Sequence, residues 1–539
     1  MKIANENIKE TKELDEYSKE ELVDECKMLR NQVQELNEKM NWMMGQIRLD
    51  KQKQFGSSSE KTDHEQMSLF FNEAEGAADL KAKEPEFEEI TFKRKKHKGK
   101  REEDLAGLPT EVIEYKLPEE KQECPECSEK LHVMSKEVRR ELVIIPAQLK
   151  VVEHVKYIYS CRNCEKNNIS VPILKAQAPE PVIKGSVASA SLVAGIMNNK
   201  YVNALPLNRQ EQELDRYGIS ISKQNMANWM IYCSKNWLEP LYEAMKKVLQ
   251  SQDVLFADET TVQVLKEPGR KAETNSYMWL YRTGAEAPPV VLYEYQTTRS
   301  SSHPKRFLNG FKGFLHCDGY QGYHNLSSDI TIVGCLAHAR RKFDECLKSL
   351  SKVEQVGSKA WEGLEFCNLL FEVESKLSES EAEERYQKRL ELSKPILDAF
   401  LTWLKKMELI IAPKSALGKA VFYTIEQWKY IKNYLLDGRL EISNNRSERS
   451  IRPFVIGRGN WMFCNTPKGA NASAVIYSIL ETAKENNLKP INYLTYIFEK
   501  MPNINFKDNP EFLNDLLPWS NKLPEDCKQQ KKDSQSSAQ

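Results

Sequence analysis

The stretch E-I-S-N-N-R-S-E-R-S-I-R-P, residues 441–453, surrounds one acid, Glu448, with three arginines. Because Ser443 suits a helix N-cap and Pro453 a helix stop, the stretch predicts a short helix between them. Polar residues at i, i+3 and i+4 spacing share one side of that helix: Asn444, Asn445, Glu448, Arg449 and Arg452. This side offers a carboxylate to a metal ion and cations to phosphates. A solvated helix with surface ion pairs also explains the pattern.

Two aspartates upstream favour the metal interpretation. Asp258 follows the apolar run at 254–257 and Asp318 follows that at 313–317, so each is predicted to end a buried strand. Either one alone fits a simple strand end. Acids at the ends of neighbouring strands repel each other unless a divalent cation lies between them. With Glu448 they form an oxygen-only ligand set suited to two Mg2+ or Mn2+ ions, which can activate a water or a 3'-hydroxyl in phosphodiester chemistry.

The composition excludes several classes of protein. A chain of 539 residues allows about three or four domains. Basic and acidic residues number 78 each, which excludes a uniformly basic nucleic-acid-binding coat. Only four of the 12 cysteines lie in C-x-x-C pairs, which excludes a secreted disulfide framework. Since the sequence shows no membrane-spanning apolar run and no signal-peptide pattern, we expect a soluble, cytoplasmic protein without a membrane partner.

The N-terminal region is predicted to hold a helix or coiled coil at 1–56 and a flexible basic linker at 57–110. Apolar heptads from Leu22 to Ile47 fit either pairing of two chains or a helix packed on its own protein. The cluster K-R-K-K-H-K-G-K-R at 93–101 suits either binding of a phosphate backbone or a solubilising charge run.

Two C-x-x-C pairs mark residues 111–178 as a zinc-binding module. The cysteines are Cys124, Cys127, Cys161 and Cys164, and strand-like segments between the pairs can bring them together. Four thiolates form a closed tetrahedral site for a structural Zn2+. Unliganded thiols are the alternative, which such paired spacing disfavours.

Residues 179–245 have the outline of a helix-turn-helix. One helix is predicted to end at Gly218, and a second to begin at a cap formed by Ser220 or Ser222. The start of a recognition helix meets bases, and the residues there are Lys223, Gln224, Asn225 and Asn228. A purely structural corner fits the same outline.

The rest of the chain predicts a multidomain α/β protein. Three consecutive strands, followed by strands that alternate with helices, come close to the order of a ribonuclease H-like core over 246–350. Strand signals are absent from 351–440, which predicts an all-helical insertion, and 441–505 closes the core. The apolar pattern of the insertion predicts these core residues: Trp361, Phe366, Leu369, Leu370, Leu397, Phe400, Trp403 and Leu404. The predicted strands are 254–257, 277–282, 290–295, 313–317 and 330–335, with helices at 299–309 and 336–347 and a strand pair at 454–464. Residues 506–539 are predicted to be a disordered tail.

These pieces together resemble the IS66 family of bacterial insertion-sequence transposases. The matching motifs run in family order over residues 20–505: Q-F-G-S-S-S-E-K, C-P-E-C, C-R-N-C, L-P-L-N-R-Q, A-D-E-T, C-D-G-Y-Q-G-Y, G-C-L-A-H-A-R-R-K-F, S-N-N-R-S-E-R-S-I-R-P and G-R-G-N-W-M-F. The linker departs from the pattern, because it is rich in lysine where an arginine-rich hook with glycine and proline is typical.

The resemblance implies a DDE transposase, in which Asp258, Asp318 and Glu448 bind two Mg2+ ions and the core joins cleaved 3'-hydroxyl ends to target DNA. It also implies double-stranded DNA as substrate, a homodimer or higher oligomer, and accessory proteins from the same element. Further residues are assigned to DNA or to support of Glu448: His338, Arg340, Arg341, Asn444, Asn445, Arg449 and Arg452. For the first three of these, a charged helix face is the alternative.

Two other functions explain part of the pattern. A non-catalytic DNA-binding protein would use the zinc module and the helix-turn-helix, but it would not need carboxylates near phosphates, which repel them. A metal-dependent nuclease with another substrate would use the same acids, but it leaves the preceding modules unexplained.

Overall fold

A computed structural model of the chain describes residues 149–160 and 173–529. The predicted coiled coil, the basic linker and all four zinc-ligand cysteines lie outside the described residues, so these three predictions are not tested by the structure. A short antiparallel pair, β1 (Ile158–Ser160) and β2 (Ile173–Lys175), precedes the main body.

Four helices lead into the main sheet: α1 (Ala190–Tyr201), α2 (Leu207–Arg216), α3 (Lys223–Cys233) and α4 (Glu239–Gln250). The two helices of the predicted helix-turn-helix are present as α2 and α3. Gly218 follows α2 with φ of +77°, a left-handed conformation that glycine adopts without strain. The cap of α3 is Ser222, whose Oγ accepts from the Asn225 N–H at 3.2 Å.

The central sheet has five strands in the order β5-β4-β3-β6-β7. They are β3 (Val254–Gln263), β4 (Asn275–Thr283), β5 (Val291–Gln296), β6 (Gly313–Cys317) and β7 (Ile330–Gly334). The first three form an antiparallel meander, whereas β6 pairs with β3 in parallel and β7 with β6 in parallel. The five predicted strands are therefore all present, with small differences at most ends.

The prediction that the first strand ends before Asp258 is wrong. β3 continues to Gln263 because β4 pairs with it along its whole second half, from Asp258 opposite Leu280 to Gln263 opposite Asn275. Antiparallel pairing outweighs the low strand propensity of acids. Asp318, by contrast, directly follows β6 as predicted.

Helices cover both faces of the sheet. Leu255 and Ala257 of β3 pack into one core with the helices α1 to α4, and Val254 and Phe256 pack into a second core on the opposite face. This alternation follows from the pleat of a strand. A short helix, α5 (Ser302–Phe307), connects β5 to β6 and is shorter than predicted.

The second core is built by the predicted helical insertion. After α6 (Leu336–Lys348) come α7 (Lys352–Gln355), α8 (Lys359–Lys376), α9 (Ala382–Lys388), a π-helical turn (Arg389–Ser393), α10 (Lys394–Ile410), α11 (Ala416–Ile431) and a 3-10 turn (Lys432–Leu436). Predicted core residues such as Leu370 and Phe400 are buried. Trp361 and Leu369, which follow the same apolar pattern, are instead exposed on α8.

The prediction that Pro453 stops the helix is also wrong. The helix α12 (Asn445–Trp461) begins after Asn444 rather than after Ser443 and continues through Pro453. Proline lacks the N–H of an interior helix residue, but polar side chains of the sheet hold the preceding turn. The Tyr293 hydroxyl donates to the Ser450 carbonyl, and Arg282 Nη1 donates to Ser450 Oγ at 2.5 Å.

The predicted strand pair at 454–464 is therefore mostly helix. The chain leaves α12 through Met462, with φ of +63°, and only then pairs through its backbone with the sheet. Cys464 forms a single bridge beyond β3, where its N–H donates to the Gln263 carbonyl at 2.9 Å. Apolar content alone did not distinguish this helix from a strand.

Residues 506–529 are folded, which corrects the predicted start of the disordered tail. They follow α13 (Pro467–Glu485) and α14 (Pro490–Lys500) and form helical turns at Pro510–Leu516 and Glu525–Cys527. Apolar side chains of this segment are buried against α14 and α4, among them Leu513, Leu516 and Cys527. Over the described residues, no helix is long and apolar enough to cross a membrane.

Candidate functional site

The first two acids of the predicted site lie side by side on parallel strands. Phe256 of β3 pairs with His316 of β6, so two residues further on Asp258 lies next to Asp318. Both side chains are half-buried. Asp258 Oδ1 accepts the Glu259 N–H at 2.8 Å, and Asp318 Oδ1 accepts the Tyr320 N–H at 3.0 Å. Backbone donors therefore fix one oxygen of each carboxylate.

Asn444 brings the start of α12 to these strands. Its side-chain amide donates to the Ala257 carbonyl at 2.9 Å, directly before Asp258, and its N–H donates to Cys335 Sγ at 3.1 Å. Cys335 follows β7 and precedes α6. Asn444 is 1% exposed, so it links segments inside the protein. This position is suited to supporting Glu448 rather than to contacting DNA.

Glu448, in the first turn of α12, faces α6. His338 Nε2 lies 3.7 Å from Glu448 Oε1, and Arg341 Nη2 lies 3.7 Å from Glu448 Oε2. Glu448 Oε1 is buried without a hydrogen-bond partner, as is His338 Nδ1. The Cys335, His338 and Glu448 ligand atoms lie within 4.8 Å of one another. The site thus contains polar atoms whose hydrogen-bonding capacity the described residues do not use.

The neighbouring acids favour the protonated form of Asp258. Burial, followed by the charges of Glu259, Asp318 and Glu448, raises the pKa of Asp258 well above its usual value. For His338, burial lowers the pKa and outweighs the opposing charge of Glu448. The charge of Glu448 reaches Asp258, which places the third acid near the first pair.

The donor set fits a hard divalent cation. Asp258, Asp318 and Glu448 contribute oxygen atoms, the ligands that Mg2+ and Mn2+ prefer. Their mutual repulsion and the unpartnered Oε1 of Glu448 are what a bound cation would relieve. Cys335 and His338 add a sulfur and a nitrogen at the edge of this set, but the sulfur already accepts the Asn444 N–H.

The residues predicted to contact DNA occupy two separate surfaces. Lys223, Gln224, Asn225 and Asn228 are all exposed on α3. Near the acids, Arg341 and Arg449 are exposed, whereas Asn445 and Arg452 are half-buried. Arg340 is half-buried as well, and its Nε donates to Asn368 Oδ1 at 2.8 Å.

Four residues around the acids were missed by the sequence prediction: Glu259, Arg299, Tyr320 and Tyr323. Arg299 Nε donates to Glu259 Oε1 at 2.7 Å, and the Tyr323 hydroxyl donates to Glu259 Oε2 at 2.5 Å. Glu259 belongs to A-D-E-T, and both tyrosines belong to C-D-G-Y-Q-G-Y. The signal was in those motifs, whereas Arg299 lies in none of them.

Comparison with protein families decides the relationship. The profile described as "Transposase IS66 family" matches residues 185–472, more than half of the chain, and this range contains all three acids. The chain belongs to the IS66 transposase family. Members of this family are DNA-processing enzymes of insertion sequences, and this transposase is therefore a DNA-processing enzyme.

Three further profiles extend the match along the chain. The "zinc-finger binding domain of transposase IS66" covers 121–165, which includes the four predicted zinc cysteines, and the "IS66 C-terminal element" covers 478–519. "Transposase C of IS166 homeodomain" covers 42–113. A zinc-binding domain therefore precedes the α/β domain, in agreement with the paired C-x-x-C motifs.

Similar proteins come from Sinorhizobium fredii. The uncharacterized protein y4jD is 31% identical over 435 residues, and the match covers 77% of this chain and 82% of that protein. The uncharacterized protein y4hP is 29% identical over 410 residues, 72% of this chain and 71% of that protein. These relatives show that the likeness extends well beyond short motifs.

Proposed function

We propose that this transposase cleaves DNA at the ends of its insertion sequence and transfers the 3'-hydroxyl ends into target DNA, with Asp258, Asp318 and Glu448 as ligands of two Mg2+ or Mn2+ ions. The observation that carries the proposal is the convergence of these acids. Two stand side by side on parallel strands, and the third stands close enough to raise the pKa of the first.

The surrounding residues hold the acids ready for this reaction. Asn444 ties the first turn of α12 to β3, so Glu448 is held near Asp258. Arg341 places a cation 3.7 Å from Glu448, where it can also meet a DNA phosphate. When bound, the two ions would activate the attacking oxygen and stabilise the leaving oxygen.

The sheet supports a ribonuclease H-like core as the fold of this domain. An antiparallel meander followed by two parallel strands, with acids on adjacent central strands, is the arrangement such a core requires. The helical insertion between β7 and α12 packs on one face of the sheet. It separates Asp318 from Glu448 in sequence without separating them in space.

DNA binding is proposed to involve regions on both sides of the core. The exposed start of α3 offers four polar side chains for the terminal repeats. The module with Cys124, Cys127, Cys161 and Cys164 holds a structural Zn2+. We further propose that the protein acts on double-stranded DNA in the bacterial cytoplasm, as a homodimer or higher oligomer with accessory proteins from its element.

The test is strand transfer in vitro with purified protein, its own terminal DNA and Mg2+. Wild type should give cleaved and joined products, and Glu448→Gln should give neither while it binds the ends with unchanged affinity. Arg446→Gln is a control on the same helix, because Arg446 pairs with Glu441 at 2.5 Å rather than with the acids. If wild type binds the ends but neither cuts nor joins them with the neighbouring gene products present, a non-catalytic DNA-binding function replaces this one.

A further inference from the structure

Glu259 is a buried acid with a role that differs from that of its neighbour Asp258. Its side chain is 1% exposed, and both carboxylate oxygens are occupied. Arg299 binds Oε1, and the Tyr323 hydroxyl donates to Oε2. Glu259 is therefore committed to Arg299 and Tyr323, whereas Asp258 accepts the Glu259 N–H on Oδ1 and stays available for a cation.

Arg299 connects this buried acid to Asp318. Its guanidinium lies 3.9 Å from the centroid of the Tyr320 ring, and its Nη2 lies 4.0 Å from Asp318 Oδ2. The Tyr320 hydroxyl donates to the Arg299 carbonyl, and the Tyr320 N–H donates to Asp318 Oδ1 at 3.0 Å. The two Asp318 oxygens are thus flanked by the same unit, one by a backbone N–H and one by a cation.

We propose that Arg299, clamped by Glu259 and Tyr320, is a positioning residue that orients Asp318 and sets the metal affinity of the site. The proposal rests on the function proposed above. This group of Glu259, Arg299 and Tyr320, called the clamp below, offsets part of the repulsion between Asp318 and Asp258 before a cation binds. It also gives a purpose to the glutamate of A-D-E-T and to the first tyrosine of C-D-G-Y-Q-G-Y.

The experiment measures Mn2+ binding to the full-length, zinc-loaded protein by the loss of the free-ion electron paramagnetic resonance signal. Arg299→Lys keeps the charge but loses the planar contacts to Glu259 and Tyr320. It should weaken Mn2+ binding about tenfold, as loss of an outer-shell partner does. Arg306→Lys is the matched control, because Arg306 of the nearby helix α5 pairs with Glu294 of β5 at 3.3 Å. This control variant should bind Mn2+ as tightly as wild type does.

A double variant, Glu259→Gln with Arg299→Gln, separates positioning from folding. Changing Arg299 alone leaves a buried carboxylate unpaired, which destabilises the fold, whereas the double change leaves no unpaired charge. If the clamp positions Asp318, the double variant unfolds near the wild-type temperature yet still binds Mn2+ about tenfold more weakly. Wild-type Mn2+ affinity in the double variant or in Arg299→Lys would overturn the proposal.

Asp318→Asn distinguishes failure of the clamp from failure of the proposed function. If Asp318→Asn weakens Mn2+ binding and Arg299→Lys does not, only the clamp is wrong. If neither variant changes Mn2+ binding, the acids do not form the metal site, and both the clamp and the catalytic proposal are contradicted.

Discussion

The site formed by Asp258, Asp318 and Glu448 differs from the buried Arg389 cluster in the helical insertion in how its charges are satisfied. Arg389 is 1% exposed, yet its guanidinium bonds both oxygens of Glu374, at 2.9 and 2.5 Å, and several carbonyls, including Leu440 O at 2.8 Å. In the acid site, burial and the charges of Glu259, Asp318 and Glu448 raise the pKa of Asp258, and Glu448 Oε1 has no hydrogen-bond partner among the described residues. The fold itself satisfies the charge of Arg389, whereas the acid site leaves a carboxylate oxygen that a bound cation can use.

The largest effect expected from this comparison is on catalysis. Asp258→Asn removes a metal ligand and should lower strand cleavage by about a thousandfold, or about 4 kcal/mol of transition-state stabilisation. In metal-free buffer the same change should raise the free energy of unfolding by about 1 kcal/mol, since active-site charges are held at a cost in stability. Single-turnover cleavage and urea unfolding measure the two effects. A variant that is less stable than wild type would show that Asp258 is structural.

Arg389→Gln should have the opposite profile. Loss of the guanidinium leaves Glu374 and several carbonyls without their partner, so we expect a loss of about 3–5 kcal/mol in the free energy of unfolding. Cleavage per folded molecule should stay near wild type. Lys388→Gln, which removes an exposed pair with Glu391, is the control and should change stability little. Equal stability of the two variants would remove the contrast.

Ser450→Ala should have an intermediate effect on stability. Arg282 loses the hydroxyl that accepts from its Nη1, although its pair with Glu485 at 3.2 Å remains. We expect a loss of about 1–2 kcal/mol, because the buried Arg282 Nη1 keeps only its longer hydrogen bonds, to the Arg446 carbonyl at 3.5 Å and to Glu485 Oε1 at 3.4 Å. Faster hydrogen exchange of the amides around Pro453 would confirm that the sheet holds α12 through the proline. Unchanged exchange there would contradict it.

The smallest effect concerns Glu294, a half-buried acid of β5 outside the site. Burial raises its pKa above the ordinary value of 4.5, although Arg306 and Lys246 oppose the shift. Because the folded pKa exceeds the unfolded one, ionisation destabilises the fold as pH rises above 4.5. Glu294→Gln should therefore raise the free energy of unfolding at pH 7 by less than about 1 kcal/mol, which is measured as a slightly higher unfolding temperature. The difference should disappear near pH 4, and a constant difference would contradict the sign.

Local signals predicted much of this fold. The apolar run of β6, the helix α6 and the α3 start at Ser222 all lie within one or two residues of their predicted positions. In each case the strand or helix is specified by its own residues. The family relationship, predicted from motifs spread along the chain, is confirmed by the profile matches.

The failures have tertiary causes. β3 continues through Asp258 because β4 pairs with it, and α12 continues through Pro453 because Tyr293 and Arg282 bond its preceding turn. In the candidate site, the sequence predicted the three acids but not the clamp. Arg299 reaches Glu259 across 40 residues of chain, and only the folded sheet brings the two together.

The most direct measurement of the central claim is the anomalous scattering of Mn2+ in crystals of the protein with its terminal DNA. The account predicts anomalous peaks within ligand distance of Asp258, Asp318 and Glu448 in wild type, and their loss in Asp258→Asn. Mn2+ that binds at Cys335 and His338 without either aspartate would contradict it, as would wild-type crystals without a peak at these acids.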